Sequence, residues 1–156
     1  MYLNNIIIPT GKYLCAYDAK KCGVKELEIK VRVSETDALG HINNASYFTY
    51  LEDARIDFLE EMGISIKDEV FAFMLVSTKC DFISQGYFGQ ILQVDTKVLK
   101  IGTKSLTLVS DILDKESGKV IAKGEATIVY FNLLDEKTIE IPDAFKTQLQ
   151  AYMQTT

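Results

Sequence analysis

The reactive side chains crowd into one short segment, Glu35-Thr36-Asp37-Ala38-Leu39-Gly40-His41-Ile42-Asn43-Asn44. Asp37 is a loop carboxylate, Gly40 allows close backbone approach, and His41 is the sole histidine. Asn43 and Asn44 lead into residues with helical spacing, so the segment ends at a helix N-terminus. Such an end carries unpaired N–H groups and a partial positive charge. Donors of this kind hold a carbonyl oxygen and stabilise the negative charge that grows on it during acyl transfer. A carboxylate a few residues earlier is placed to attack the same carbonyl or to activate a water. Ordinary roles exist for each residue too: Asp near Gly is common turn chemistry, and Asn is a good helix cap. For the asparagines the two roles are compatible, because the cap creates the helix end that would do the work.

Regular elements on either side must hold this segment. Residues 1–24 read as an N-terminal arm, with Ile6-Ile7-Ile8 stopped by Pro9 and Gly11 and a second short piece from Tyr13 to Tyr17. The arm is expected to be an extra edge strand or a loose attachment, and it carries no evident chemistry. Residues 25–156 read as one domain. Leu27, Ile29, Val31 and Val33 alternate with Glu28, Lys30 and Arg32, the period of a strand with one buried face. A helix is predicted over 45–62, where Tyr47, Leu51, Ala54, Phe58 and Met62 form an apolar stripe and Gly63 supplies the stop. Four strands follow: Phe71 to Phe82, a run through Leu92, Val94, Thr96 and Val98, a run through Leu106, Leu108, Ser110 and Ile112, and Val120 to Phe131. Gly102 breaks the middle pair, and Glu116-Ser117-Gly118 makes a hairpin turn. Pro142 opens a last helix with Ala144, Phe145, Leu149 and Tyr152 inward. Consecutive strands joined by short turns imply an antiparallel sheet. The long helix needs a surface on which to bury its stripe, so the expected class is α+β, a curved antiparallel sheet wrapped around one long central helix.

The stretch 31–63, with its spacing Asp37-x-x-Gly40-His41-x-Asn43-Asn44-x-x-Tyr47 followed by Leu51-Glu52-Asp53-Ala54-Arg55, resembles the 4-hydroxybenzoyl-CoA thioesterase family of hotdog-fold proteins. It is most similar to the branches acting on acyl-CoA and acyl-carrier-protein (acyl-ACP) thioesters, and the element order agrees with that fold over about residues 27–150. The resemblance implies hydrolysis of an acyl thioester, with Asp37 as general base or nucleophile and the Asn44 backbone N–H as oxyanion donor. It implies that His41 and Asn43 line or brace the site, with His41 in a supporting role, and that Tyr47 faces the sheet or the acyl pocket. It implies that the turn holding Lys100, Gly102 and Lys104 approaches the pantetheine and nucleotide of the substrate; the alternative is a solvated charged turn. No metal or redox cofactor is implied, since coenzyme A or the acyl carrier is part of the substrate. A homodimer or homotetramer with sites between subunits is implied as well.

Composition agrees with this class. A chain of 156 residues fits one domain that needs neither metal nor disulfide to hold its core. A formal charge of -5 argues against a general nucleic-acid partner, although it leaves room for an anionic small ligand met by a few lysines. Cys15, Cys22 and Cys80 show no zinc-type pairing and read as indifferent thiols in a reducing cytoplasm. No apolar run reaches the length of a membrane span, and the start of the sequence lacks a signal-peptide pattern, so a cytoplasmic protein is expected. Two rival functions share the fold. An enoyl-CoA hydratase or dehydratase would want a paired Asp and His in an Asp-x-Asn-Pro-x-His-like segment, which this chain lacks. A non-catalytic acyl-CoA-binding domain would bind thioester without releasing thiol.

Overall fold

The alternating runs become one antiparallel sheet in the computed structural model, which describes residues 23–64 and 68–153. Nearly all of the N-terminal arm, with Cys15 and Cys22, lies outside the described residues. Strand β1 (Lys25–Lys30) leads through a 3-10 turn at Val33–Glu35 to helix α1 (Asn44–Glu61). Strands β2 (Phe71–Phe82), β3 (Ile91–Ile101), β4 (Ser105–Asp114), β5 (Val120–Asn132) and β6 (Lys137–Thr138) follow, and helix α2 (Asp143–Gln150) closes the order. Among the described residues no helix is long and apolar enough to cross a membrane.

The sheet order is β1-β3-β4-β5-β2, with β6 beside β5. Strands β3, β4 and β5 pair in sequence order, whereas β2 does not lie beside β3, its successor, but at the far edge, paired with β5. The connection that follows carries the chain from the β2 edge back to β3, which lies between β1 and β4, and it supplies a wall of the site described below.

Burial follows the predicted periodicity closely in the central strands. Leu92, Val94, Thr96 and Val98 on β3 are fully buried, as are Leu106, Leu108 and Ile112 on β4, while their alternate neighbours stay partly exposed. Thr96 and Ser110 are buried polar residues of this layer, and their hydroxyls satisfy each other across the strands at 2.9 Å. Helix α1 lays Tyr47, Leu51, Ala54 and Phe58 on the sheet, the stripe read from the sequence. The Asn43 side chain accepts the Ala45 N–H at 3.0 Å and caps its start. Gly63, at φ +73°, ends it, with the Ile64 N–H returning to the Leu59 carbonyl at 3.0 Å. The core divides in two along the helix. One cluster gathers Val31, Ile42, Tyr47, Leu51, Leu92 and Ile121 at the end nearer the Asp37 loop. The other gathers Phe58, Val98, Leu106, Ile128, Ile141 and Leu149 at the opposite end.

Two side chains depart from expectation. Val33 is 70% exposed because β1 ends at Lys30 and the chain turns through 3-10 geometry, ending the period of two. Ala144 is exposed, whereas Leu149 is buried and Phe145 and Tyr152 pack on the second cluster. The inward stripe of α2 runs through 145, 149 and 152 at steps of four and three, and residue 144 falls off it. Pro142 sits at the N-cap rather than inside the first turn. Lys25 of β1 reaches the end of α1, pairing with Glu61 and, at 3.2 Å, with Asp57. The Tyr152 hydroxyl donates to the other Glu61 oxygen at 2.7 Å. The bond to Glu61 raises the Lys25 pKa and lowers that of Glu61. Both groups are partly solvated, so the pair orients β1 against α1 and adds little stability.

Candidate active site

The Asp37 loop is shaped by its own carboxylate. One oxygen, Oδ1, accepts the Leu39 N–H at 2.8 Å and the His41 N–H at 3.1 Å. The backbone closes the same turn: Asp37 N–H donates to the His41 carbonyl at 2.8 Å, and Gly40 N–H to the Asp37 carbonyl at 3.0 Å. Gly40 stands at φ +78°, a left-handed conformation that a side chain would strain. These bonds use Oδ1 and hold the carboxylate in one orientation, and the second oxygen has no hydrogen-bond partner among the described residues.

The helix start is equally well determined. Asn43 N–H donates to the Glu35 carbonyl at 2.8 Å, and Ser46 N–H to the Asn43 carbonyl at 2.9 Å. Ala45 N–H is taken by the Asn43 side chain. The Asn44 N–H has no acceptor among the described residues. One unpaired donor therefore stands at the positive end of α1, between neighbours that are all satisfied.

Asp37, His41, Asn44 and Tyr47 line one cleft of about 290 Å³, whose facing wall includes Phe82 and Gly86. The wall comes from the β2–β3 connection and is sewn to the loop by backbone bonds. Ile42 N–H donates to the Gly86 carbonyl at 2.9 Å, and Phe88 N–H to the Gly40 carbonyl at 3.3 Å. Its other side is anchored on β5, since Ile83 and Ser84 N–H both donate to the Ile121 carbonyl. Gly86 permits this closeness: a Cβ there would meet Ile42 Cδ1 at 2.4 Å.

Tyr47 is buried yet lines the cleft, so its two readings merge. Its ring meets Phe82 edge-on at 5.2 Å. Burial pushes its phenol pKa up, with a hydrogen bond from the Gly86 backbone opposing the shift. His41 is half-buried and packs edge-on against Tyr87 at 5.1 Å. Asn43 is the helix cap and is absent from the cleft lining, so its contribution is to brace. Asp37 and Asn44 are both exposed in the single chain.

Lys100, Gly102 and Lys104 are not brought to this cleft. They occupy the β3–β4 hairpin, where Gly102 N–H donates to the Ser105 carbonyl at 2.8 Å. The Asp37 loop is sewn to residues just before β3, and Lys100 lies near the far end of that strand, about 30 Å from its start at Ile91 at the usual rise per residue. Cys80 is a half-buried thiol whose pKa is raised, chiefly by burial, which leaves it poorly nucleophilic. A larger groove, about 760 Å³, runs between β1 and the outer side of α1. Neither Asp37 nor Asn44 lines it; both line the smaller cleft. Phe82 and Gly86 were not singled out from the sequence. Ser84-Gln85-Gly86 announces a turn, and only the sheet order shows which loop it faces.

Residues 31–149 match the family model of the thioesterase-like superfamily. The long-chain acyl-CoA thioesterase FadM of Escherichia coli is 26% identical over 127 residues, 80% of this chain and 96% of that protein. The uncharacterized protein YsmA of Bacillus subtilis is 32% identical over 81 residues, 52% of this chain and 55% of that protein. Among solved structures, a "predicted thioesterase" from Bacillus stearothermophilus superposes with a TM-score of 0.76 at 30% identity, covering 85% of this chain and 98% of that one. The hotdog fold expected from the sequence is thereby borne out, with its antiparallel sheet and long helix. By family model and by fold, the chain belongs to the thioesterase-like superfamily, with thioester hydrolysis as its class of reaction.

Proposed function

We propose that this protein hydrolyses acyl-CoA or acyl-ACP thioesters at the cleft between the Asp37 loop and the start of α1. The observation that carries the reading is the pairing of an oriented carboxylate with the unpaired Asn44 N–H on the walls of one cavity. With the thioester carbonyl oxygen on the Asn44 N–H, the free Asp37 oxygen takes a proton from water and the resulting hydroxide attacks the carbonyl carbon. Alternatively the carboxylate itself attacks, and water then cleaves the mixed anhydride. In either route negative charge collects on the oxygen held by Asn44, the C–S bond breaks, and the departing thiolate takes up a proton. Single turnover in ¹⁸O water separates the routes, because only the second leaves label in the Asp37 carboxylate.

The testing experiment is thiol release across short, long and aromatic acyl-CoA substrates. Release from at least one is the expected result. Tight binding without thiol would favour an acyl-binding domain, and loss of enoyl absorbance without thiol a hydratase. FadM is a long-chain acyl-CoA thioesterase, so long chains come first in the panel.

A second copy of the chain completes this site in the proposal. An acyl-transfer site works best with water excluded, yet Asp37 and Asn44 are exposed in the single chain. Among the described residues β2 is an edge of the sheet, and it offers Met74, Leu75 and Val76 at 43%, 43% and 59% exposure. Such an edge invites strand pairing. Val76→Lys is expected to shift the oligomer toward monomer in sedimentation and to abolish most thiol release. A monomeric variant with full activity would refute the shared site. The turn holding Lys100, Gly102 and Lys104 then contacts the substrate's phosphates from the partner subunit. The double change Lys100→Ala with Lys104→Ala should raise KM for acyl-CoA but not for an acyl-pantetheine. An equal effect on both would refute that role.

A further inference from the structure

Glu35 stands two residues before Asp37 and takes no part in the chemistry above, yet more bonds converge on it than on any other residue of the loop. Its backbone carbonyl accepts the Asn43 N–H at 2.8 Å and the Ser46 hydroxyl at 3.0 Å. Its side-chain Oε2 accepts the Arg32 N–H at 2.8 Å and the Tyr50 hydroxyl at 2.9 Å. Three of these partners sit at the start of α1 or on its second turn, and the fourth sits where β1 has ended. The Ser46 and Tyr50 donors are on the face that also presents Tyr47 and Leu51 to the sheet, so the clamp and the core share one side of the helix.

We infer that Glu35 is a positioning residue: it fixes the distance between the Asp37 carboxylate and the Asn44 N–H by fastening the loop to the helix start. The inference rests on the catalytic reading of those two groups. The covalent path from Asp37 to Asn44 passes through Gly40, a flexible link tied by local bonds and by the β2–β3 connection, neither of which joins it to the helix start. Across space, the short way between the two groups runs through Glu35, which is covalently two residues from Asp37 and hydrogen-bonded to Asn43, the neighbour of Asn44. The main-chain bonds survive any substitution. The side-chain bonds add the orientation, since Tyr50 is only 1% exposed and its ring has no room to follow a wandering loop. Its hydroxyl remains a donor throughout the working range, because burial first, and the Glu35 carboxylate second, hold its pKa far above the ordinary value.

Geometry also supplies a control that separates positioning from proton transfer. Both side-chain bonds fall on a single oxygen, so a glutamine at this position, with its one amide oxygen, can accept both. Glu35→Ala removes both bonds and is expected to lower kcat about 10- to 100-fold, with KM changed much less, because a displacement near 1 Å is enough for such a loss. Glu35→Gln should restore kcat to within about threefold of the wild type, because its amide oxygen keeps both acceptor bonds in place. Each is weaker than a bond to a carboxylate, and the 3.9 Å ion pair of Oε1 with the exposed Arg32 guanidinium is lost, but the loop stays fastened. Tyr50→Phe should fall between the two.

The kinetics are measured on the full chain below the melting point of each variant, with the acyl-CoA that the panel identifies and with Asp37→Asn alongside. A Glu35→Gln variant as slow as Glu35→Ala would overturn the inference, since Glu35 would then act through its charge or its proton. Wild-type kcat in Glu35→Ala would overturn it also. If Glu35→Ala fails to fold, Glu35→Gln and Tyr50→Phe decide: a fast Gln variant with a slowed Phe variant supports the clamp, and any other result opposes it. Full activity in Asp37→Asn would instead sink the underlying catalytic reading, whatever the Glu35 series does.

Discussion

Asp37→Asn is expected to lower kcat for thioester hydrolysis by about 10²- to 10⁴-fold, the usual worth of a general base or an activated nucleophile. The substitution is a clean one here. The Asp37 oxygen that accepts the Leu39 and His41 N–H groups is replaced by an amide oxygen that accepts equally well, so the loop keeps its shape. The other oxygen becomes an NH₂ group, which neither attacks a carbonyl nor takes a proton from water. KM should change little, because the loop and the Asn44 N–H keep their places. Steady-state thiol release, with a melting curve to show that folding is intact, checks the outcome. Unchanged kcat would remove Asp37 from the mechanism.

Phe58→Ala tests the other end of the molecule. Phe58 is fully buried, and its ring stands edge-on to Tyr152 at 5.2 Å within the core cluster remote from the cleft. Truncating a ring in such a place costs about 3–5 kcal/mol through lost transfer energy and the cavity left behind. For a domain of this size each kcal/mol lowers Tm by about 2–4 °C. The site-side cluster of Val31, Ile42, Tyr47 and Leu92 is made of different residues. The folded fraction should therefore retain near-normal kcat while Tm drops steeply. A kcat that fell in step with stability would show that the two clusters act as one unit. Denaturant unfolding and active-site titration on the same sample distinguish the two results.

The parts of this structure that were legible in the sequence are those with a local cause. The β3 alternation, the α1 stripe, the Asn43 cap and the Gly63 stop depend on side chains a few residues apart, and all appear where the spacing puts them. The Asp37 segment was legible for the same reason, as its loop is closed by bonds within five residues. What could not be read depends on the path of the chain through space. Strand β2 is as β-prone as its neighbours, and nothing in Phe71–Phe82 says that its partner is β5 rather than β3. Phe82 and Gly86 reach the cleft only through that crossing. The Lys100–Lys104 turn shows the same limit: its charges suit a phosphate, and only its place at the far end of β3 shows that it stands away from the Asp37 loop of the same chain. Val33 shows the limit of periodicity itself, since a 3-10 turn interrupted the alternation where the residue types did not change.

The crossing of β2 to the far edge also sets a schedule. As a chain emerges from the ribosome, the Asp37 loop and α1 appear early, and β2 soon after. The wall that faces them hangs on Ile121, and among the described residues β2 has its sheet partner only in β5, Val120–Asn132. Closing so long a loop must wait for its second half. The nascent chain thus carries Asp37 without its facing wall until Val120–Asn132 has been made. The cleft is complete once β5 docks between β4 and β2.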